Sequence, residues 1–278
     1  MNSERREKLT EAIVSVLKLH DLAGEALLLR QVSRAREYLS KAVRVLRSAA
    51  SRYMSSMEIV EELDELLVEL RRAEGVVEMD RCRWRLHRIV ERVIEHGIFN
   101  RELGEGLYVL PVGGYVDGAV RRFAEEFYRI KRLLVEAELA DGKASDLVAY
   151  VVGNRAYVRI GIDWWHTSAV FFDREAGSYV ARYYSPSGWG LLRELTPWAS
   201  HRTVAEGEER WLDVLFRGVD AERVARALAL MSTAAATAAL IAEIRQDHAL
   251  RQEALSAMRQ FVDGEASVEE LITLARYL

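Results

Sequence analysis

The segment VGNRAYVRIGIDWW, residues 152–165, alternates between two kinds of side chain along most of its length. In a β-strand, successive side chains point to opposite faces of the sheet. One face would then carry Ala156, Val158, Ile160 and Ile162, and the other would carry Arg155, Tyr157, Arg159 and Gly161. The first set is typical of a protein core. The second set joins arginines to an aromatic ring and ends in a glycine, with two tryptophans just beyond it, and this pattern requires another explanation.

Strand-like runs surround this segment and predict the central fold. Together with it they occupy 147–152, 155–163, 168–173 and 178–184. Gly153-Asn154 and the DREAG segment at 173–177 have the composition of hairpin turns. A helix is expected in front of them at 118–140, because its apolar residues recur every three or four positions. The sequence therefore predicts a four-stranded antiparallel sheet with a helix on one face.

Helical patterns lie on both sides of this central region. Before it, helices are predicted at 3–19, 22–53, 56–74 and 80–96. After Asp220, a helical pattern continues to about residue 262 without glycine or proline. We therefore predict a helix-rich α+β protein with an N-terminal helical bundle at 1–98, a central α/β domain at 99–217 and a long C-terminal helix in the region 218–278.

The predicted C-terminal helix has an alanine-rich middle that would allow another helix to approach closely. Six alanines lie between residues 234 and 242. A helix of that length would span about 60 Å, too long for a compact domain to cover alone. Because so long an apolar stripe must be buried somewhere, the sequence predicts a homo-oligomer that assembles through this helix.

Composition favours a cytoplasmic protein and excludes several classes of site. The formal net charge is −4, so a nucleic-acid partner would need a local basic surface. The single Cys82 rules out an intramolecular disulfide and a multi-cysteine metal site. The chain has no expected signal peptide or membrane span. Thirty-four arginines stand against five lysines, with few asparagines and glutamines, a balance that points to a thermophile.

Motifs for catalysis are missing from the sequence. None of the six histidines has the spacing of a metal-ligand motif such as HExxH. Asp163 and His166 could pair as a base and its orienting group, but their spacing is equally that of a strand end and a loop. We therefore expect a protein that is not an enzyme and needs no cofactor or metal, although an enzyme without familiar motifs remains a third possibility.

Three of the predicted N-terminal helices carry charged stripes. The basic stripe of the second helix consists of Arg30, Arg34, Lys41, Arg44 and Arg52, and that of the fourth consists of Arg81, Arg85, Arg88 and Arg92. The third helix carries Glu58, Glu62, Glu65 and Glu69. Salt bridges to this acidic helix are the first interpretation of both basic stripes, and contacts to phosphate groups are the second.

The polar face of the predicted sheet offers a candidate binding surface. Its residues are Tyr150, Arg155, Tyr157, Arg159, Trp164, Trp165 and Arg182, provided that the neighbouring strands pair in a suitable register. Proteins that bind single-stranded nucleic acid need aromatic rings, on which the bases stack, and cations such as guanidinium groups, which neutralise the phosphates. The alternative is that helices cover both faces and the rings are core residues.

The run LGEGLYVLPVGGYVDGAVRRF, residues 103–123, resembles the start of the DNA-binding domain of ThermoDBP-related archaeal proteins. The similarity lies in Gly106, the apolar run after it, Gly114-Tyr115, Asp117 and the Arg121-Arg122 pair that opens a helix. The similarity covers about eighty residues. Beyond residue 123 the order of the predicted elements, a helix followed by antiparallel strands, is also similar. The resemblance implies a protein that binds single-stranded DNA with little sequence preference and forms oligomers through additional helices.

Two functions follow as expectations. The first is non-enzymatic binding of single-stranded nucleic acid, DNA by the resemblance, through the central domain. The second is a helical scaffold that acts by assembling with a partner, in which the sheet has only a structural role. The sequence alone does not distinguish between them.

Overall fold

The structure of the chain, a computed structural model, describes residues 3–54, 56–97, 107–110, 116–140, 147–160, 170–206 and 209–275. The chain divides into two compact units. The helical unit comprises residues 1–102, 110–115 and 206–209, and the sheet unit comprises residues 103–109, 116–205 and 210–278. The region 218–278, expected as a helical oligomerisation region, lies within the sheet unit.

The described part of the helical unit contains four α-helices. They are α1 (Ser3–Leu28), α2 (Val32–Ala49), α3 (Met57–Arg72) and α4 (Val76–Gly97). The predicted boundary near residue 20 is wrong, because α1 continues through it and stops just before Arg30, which has a φ of 54°. A residue in this left-handed conformation ends a helix. Ala35, Leu39, Val43 and Leu46 recur at helical spacing along α2 and have no exposed surface, so they form its buried face.

The end of α2 passes into a π-helical turn, Ala50–Met54. The wider hydrogen-bonded ring of a π-turn shifts the side chains that follow it relative to a regular helix, and such turns are frequent at functional sites. This turn carries Arg52 and Tyr53.

An ion pair joins α2 to α3 just before this turn. Arg47 of α2 donates two hydrogen bonds to Asp64 of α3, at 2.5 and 2.9 Å. The same guanidinium lowers the pKa of the Asp64 carboxyl.

Cys82 lies on the inner side of α4 and is 6 % exposed. Burial is the main cause that raises the pKa of its thiol to about 11. The thiol is therefore protonated at neutral pH, and a protonated thiol is a poor nucleophile and a poor metal ligand. Cys82 is a packing residue of the helical unit.

A seven-stranded mixed sheet forms the centre of the second unit, with the strand order β1-β2-β3-β4-β5-β7-β6. The strands are β1 (Leu107–Val109), β2 (Leu147–Val152), β3 (Arg155–Ile160), β4 (Val170–Asp173), β5 (Ser178–Tyr183), β6 (Ser200–Glu206) and β7 (Glu209–Phe216). Strands β2 to β5 form the antiparallel group that the sequence predicts. The expected total of four strands is wrong, because β1 adds in parallel to β2 and β7 adds to β5.

One face of the sheet packs on helix α5 (Gly118–Glu136), whose buried residues include Phe123 and Phe127. Asp117 begins this helix, and its Oδ1 accepts hydrogen bonds from the backbone N–H groups of Ala119 and Val120 at 2.9 and 3.2 Å. Its Oδ2 accepts from the Tyr179 hydroxyl of β5 at 2.8 Å. The backbone N–H of Asp117 donates to the carbonyl of Gly153, in the β2–β3 turn, at 2.8 Å. Asp117 therefore links helix α5, the β2–β3 turn and strand β5.

The long helix expected from Asp220 to about residue 262 is instead three separate helices, and a fourth, short helix follows after Gly264. After the short α6 (Trp189–Leu195), they are α7 (Ala221–Leu230), α8 (Ala234–Ile244), α9 (His248–Asp263) and α10 (Val268–Ala275). The first break is set by Thr233, whose hydroxyl donates to the Leu230 carbonyl and accepts from the Ala236 N–H. At the second break Gln246 has a φ of 57° and Asp247 caps α9. Thr233 and Asp247 cap the starts of α8 and α9 in a segment that has neither glycine nor proline, whereas α9 ends at Gly264, which has a φ of 80°.

The alanine-rich surface is covered within the chain. Ala235, Ala236 and Ala239 are each 1–2 % exposed and belong to the same core as Phe123 of α5 and Met258 of α9. The reason given for a homo-oligomer, an uncovered stripe on one long helix, is therefore removed. No helix in the part of the chain that the structure describes has the length and apolar composition needed to cross a bilayer.

We expect Ala239→Arg to destabilise the sheet unit rather than to dissociate an assembly. The substitution would push a long charged side chain into a site that is 2 % exposed. The cost should be about 3 kcal/mol or more in the free energy of unfolding, because overpacking and an unpaired buried charge act together. Urea denaturation measures this cost, and light scattering measures the mass. The matched control is Thr237→Arg on the exposed side of the same helix, and equal stability of the two variants would contradict this packing.

Candidate nucleic-acid interface

Strand pairing brings the sequence-predicted site residues to one face of the sheet, opposite α5. Tyr150 of β2 lies across from Tyr157 of β3, and Arg155 lies across from Phe171 of β4. Arg182 of β5 lies across from Asp213 of β7. Arg159 pairs with Val148 in the backbone register, but its side chain is outside what the structure describes. Trp164 and Trp165 lie outside the described residues, as do Asp163 and His166.

The part of this face near β1 is closed to ligands. Tyr150 is 1 % exposed and Tyr108 is 5 % exposed, and their rings stack with centroids 5.4 Å apart. Val148 and Val152, which flank Tyr150 on the same face of β2, are also buried. The expectation that Tyr150 offers an exposed ring for stacking is therefore wrong. The alternation of side chains correctly predicted the face of the sheet on which Tyr150 lies, but it could not show that this part of the face is covered.

The part of the face near β4 carries an arginine–aromatic ladder, which we define as Arg155, Phe171, Arg182 and Trp211. The guanidinium carbons of Arg155 and Arg182 lie 5.6 and 5.2 Å from the centroid of the Phe171 ring. Arg182 also lies 4.9 Å from the Trp211 ring. Each contact is within the range of a cation–π interaction. Arg155 and Phe171 are only half-buried, so this end of the ladder is accessible.

A buried carboxylate holds the inner end of the ladder. Asp213 has no exposed surface and accepts hydrogen bonds from Arg182 Nε at 3.2 Å and Arg202 Nη2 at 2.9 Å. Arg202 also donates to Asp173 at 3.2 Å. Backbone hydrogen bonding from Ala176, followed by the Arg202 guanidinium, lowers the pKa of the Asp173 carboxyl. Arg182 is therefore fixed in position and compensated in charge, unlike the open phosphate ligand that the sequence suggested.

Sequence reasoning missed Trp211 and Asp213, although a signal was present. In ERWLDVLF, residues 209–216, Leu212, Val214 and Phe216 alternate with Trp211 and Asp213. This is the period of a strand. The pairing of β7 with β5 places the second set on the ladder face.

The described residues hold no group of three or more His, Cys, Asp or Glu side chains that could bind a metal ion. No protein-family model, curated protein or solved structure matches this chain. The resemblance to ThermoDBP-related proteins stays a prediction.

We expect Asp213→Asn to lower the free energy of unfolding by about 3 kcal/mol, because it leaves a mostly buried guanidinium without its carboxylate. This is the lower end of the usual range, since the Arg202 side chain is 44 % exposed and can turn to water. Urea denaturation at pH 7 measures the loss. Glu175→Gln in the exposed β4–β5 turn is the matched control and should change stability by less than about 0.5 kcal/mol. If the two variants unfold alike, Asp213 does not hold the ladder.

Proposed function

We propose that this chain binds single-stranded nucleic acid without enzymatic activity, and that the arginine–aromatic ladder is the contact surface. The observation that supports the proposal is the pair of cation–π contacts that Arg155 and Arg182 make with the Phe171 ring at the accessible part of the sheet. DNA is the expected ligand by the sequence resemblance. A cytoplasmic location belongs to the same proposal and rests on the single cysteine of the chain.

The ladder suits unpaired bases because both of its components are planar. Every base can stack on an aromatic ring or on a guanidinium plane, so such a surface tolerates any sequence. Phe171 and the neighbouring half-buried Tyr157 supply rings, and Arg155 supplies a planar cation. Bases within a duplex are already stacked and paired, so the same surface would bind a duplex more weakly.

The local charge is small, which determines the expected form of binding. Arg155, Arg182 and Arg202 contribute three positive charges, and Asp173 and Asp213 contribute two negative charges, so the sum is +1. Counterion release from so few charges is limited. Affinity at this surface would therefore come mainly from stacking and would depend only weakly on salt.

We expect Phe171→Leu to weaken binding of an oligothymidylate by about 1–3 kcal/mol, the usual value of one base-stacking contact, without changing the salt slope. Leucine keeps an apolar side chain under the two guanidinium groups but removes the ring. Arg155→Ala should flatten the slope of log K against log [salt] by about 0.7, the value for one phosphate on a single strand. Fluorescence anisotropy at two salt concentrations measures both quantities, with oligouridylate and a DNA duplex as comparison ligands.

The control for these variants is Tyr38→Ala in α2, which breaks a similar contact in the helical unit, where Arg34 lies 5.7 Å from the Tyr38 ring. This variant should bind like the wild type. If Phe171→Leu and Arg155→Ala also bind like the wild type, the sheet is not the binding surface.

A scaffold function is the second candidate, and one observation favours it. Tyr108, Tyr150, Val148 and Val152 are buried on the same face as the ladder. A face that is largely packed has a structural role, and in that case the rings of the ladder would extend the packing. Failure of the chain to bind either oligothymidylate or oligouridylate at low salt would leave this candidate in first place.

A further inference from the structure

A groove of about 900 Å³ runs between α1 and α2 in the helical unit. Three exposed cations of the α2 stripe line it: Lys41, Arg44 and Arg52. Four serine hydroxyls also line it, those of Ser15, Ser33, Ser40 and Ser48. Ala12 and Ala49 are among its small residues. Cations and hydroxyl groups therefore share one elongated depression in the surface.

The salt bridges expected for the basic stripes form on α4 but not along this groove. Arg85 of α4 pairs with Glu65 and Glu69 of α3 at 2.7 and 2.6 Å, and Arg92 pairs with Glu62. These contacts are the acidic-helix pairing that the sequence suggested. Lys41, Arg44 and Arg52, in contrast, have no salt bridge to any residue in the part of the chain that the structure describes. Their charges remain available to a ligand.

The charge of the whole groove is positive. Its lining includes five cationic side chains, namely Lys8, Arg36, Lys41, Arg44 and Arg52, against the two carboxylates Glu11 and Glu37, for a sum of +3. Lys8 is paired with Glu11 at 3.5 Å. Arg36 donates to the carbonyls of Leu70 and Ala73 at 3.0 and 2.6 Å, which fixes the guanidinium but does not cancel its charge. The groove therefore favours anionic ligands.

Spacing indicates an extended anion rather than a single ion. Lys41 and Arg52 are eleven residues apart, so the three exposed cations extend over about 16 Å, along the second half of α2 and into the π-helical turn, at about 1.5 Å per residue. The π-helical turn at Ala50–Met54 carries Arg52 and Tyr53, both of which line the end of the groove. An anion that repeats its charge along its length could contact all three cations, with the hydroxyls of Ser33, Ser40 and Ser48 donating to its oxygens. The Ser15 hydroxyl instead donates to the Glu11 carbonyl at 3.1 Å.

We propose that the α1–α2 groove binds the sugar–phosphate backbone of a single-stranded nucleic acid, as a second site that does not read bases. The inference rests on the proposed function for the class of ligand but assigns a separate contact in the other unit. Phosphate supplies a charge at every nucleotide and several acceptor oxygens, which match alternating cations and hydroxyl groups.

The decisive probe is an abasic deoxyribose-phosphate strand, compared with an oligothymidylate of equal length. The groove variant Lys41→Gln/Arg44→Gln/Arg52→Gln should flatten the salt slope by about 2 for both strands, because three phosphate contacts are lost at about 0.7 each. The ladder variant Phe171→Leu should weaken the oligothymidylate and leave the abasic strand unchanged. Circular dichroism confirms that each full-length variant is folded.

The control variant Arg71→Gln/Arg72→Gln/Arg81→Gln removes three exposed positive charges of the same unit that do not line the groove. It should change the slope by much less than the groove variant. The proposal would be overturned if the two variants changed the slope equally, or if the groove variant changed nothing.

Competition gives a second test. If polyglutamate of matched charge competes as well as the abasic strand, the proposal is also overturned, because the groove would then bind carboxylates as well as phosphates. If the abasic strand binds through the groove while Phe171→Leu has no effect, the groove stands and the ladder fails. If neither strand binds, both fail.

Discussion

The sheet unit depends on the hydrogen bonds of Asp117. This one residue caps α5, accepts from the Tyr179 hydroxyl of β5 and donates its backbone N–H to the β2–β3 turn at Gly153. A helix end leaves N–H groups without partners, and a buried carboxylate needs donors, so each requirement is met by the other. Because the three contacts lie on different chain segments, they fix the position of α5 over the strands. Because α5 is held on one face of the sheet, the ladder lies on the face that α5 does not cover.

Local sequence signals were sufficient for β2 to β5 but not for the complete sheet. Alternating side chains and the two hairpin turns specify these four strands, since both signals act between neighbouring residues. Strand β7 joins the sheet next to β5 after a helix and another strand intervene. Its segment has apolar residues on both faces, with Trp211 and Leu215 opposite Leu212 and Val214, which weakens the alternation. Similarly, Thr233 and Asp247 begin new helices by side-chain capping within a segment that has neither glycine nor proline, so the helical pattern continues across both breaks.

The candidate sites show a similar limit of sequence reasoning. The period of two predicted that Tyr150, Tyr157 and Arg155 share one face of the sheet. The strand register agrees, because it pairs Tyr150 with Tyr157 and Arg155 with Phe171. Periodicity cannot show whether a face is covered, so the burial of Tyr150 was not foreseen. The same limit applies to charge. The stripes of α2 and α4 have similar compositions, yet Arg85 faces the acids of α3 and Arg44 faces a groove beside α1. Which neighbour a helix face meets is a property of the tertiary structure.

The state of Cys82 has a practical consequence for spectroscopy on this protein. The only thiol of the chain is buried and has its pKa raised to about 11, so maleimide reagents near neutral pH would react with it slowly in the folded state. The natural sequence can thus serve as its own background for site-directed labelling. A cysteine introduced at an exposed position would carry a spin label or fluorophore almost alone. Paired labels, one in each unit, would then report the distance between the units in solution.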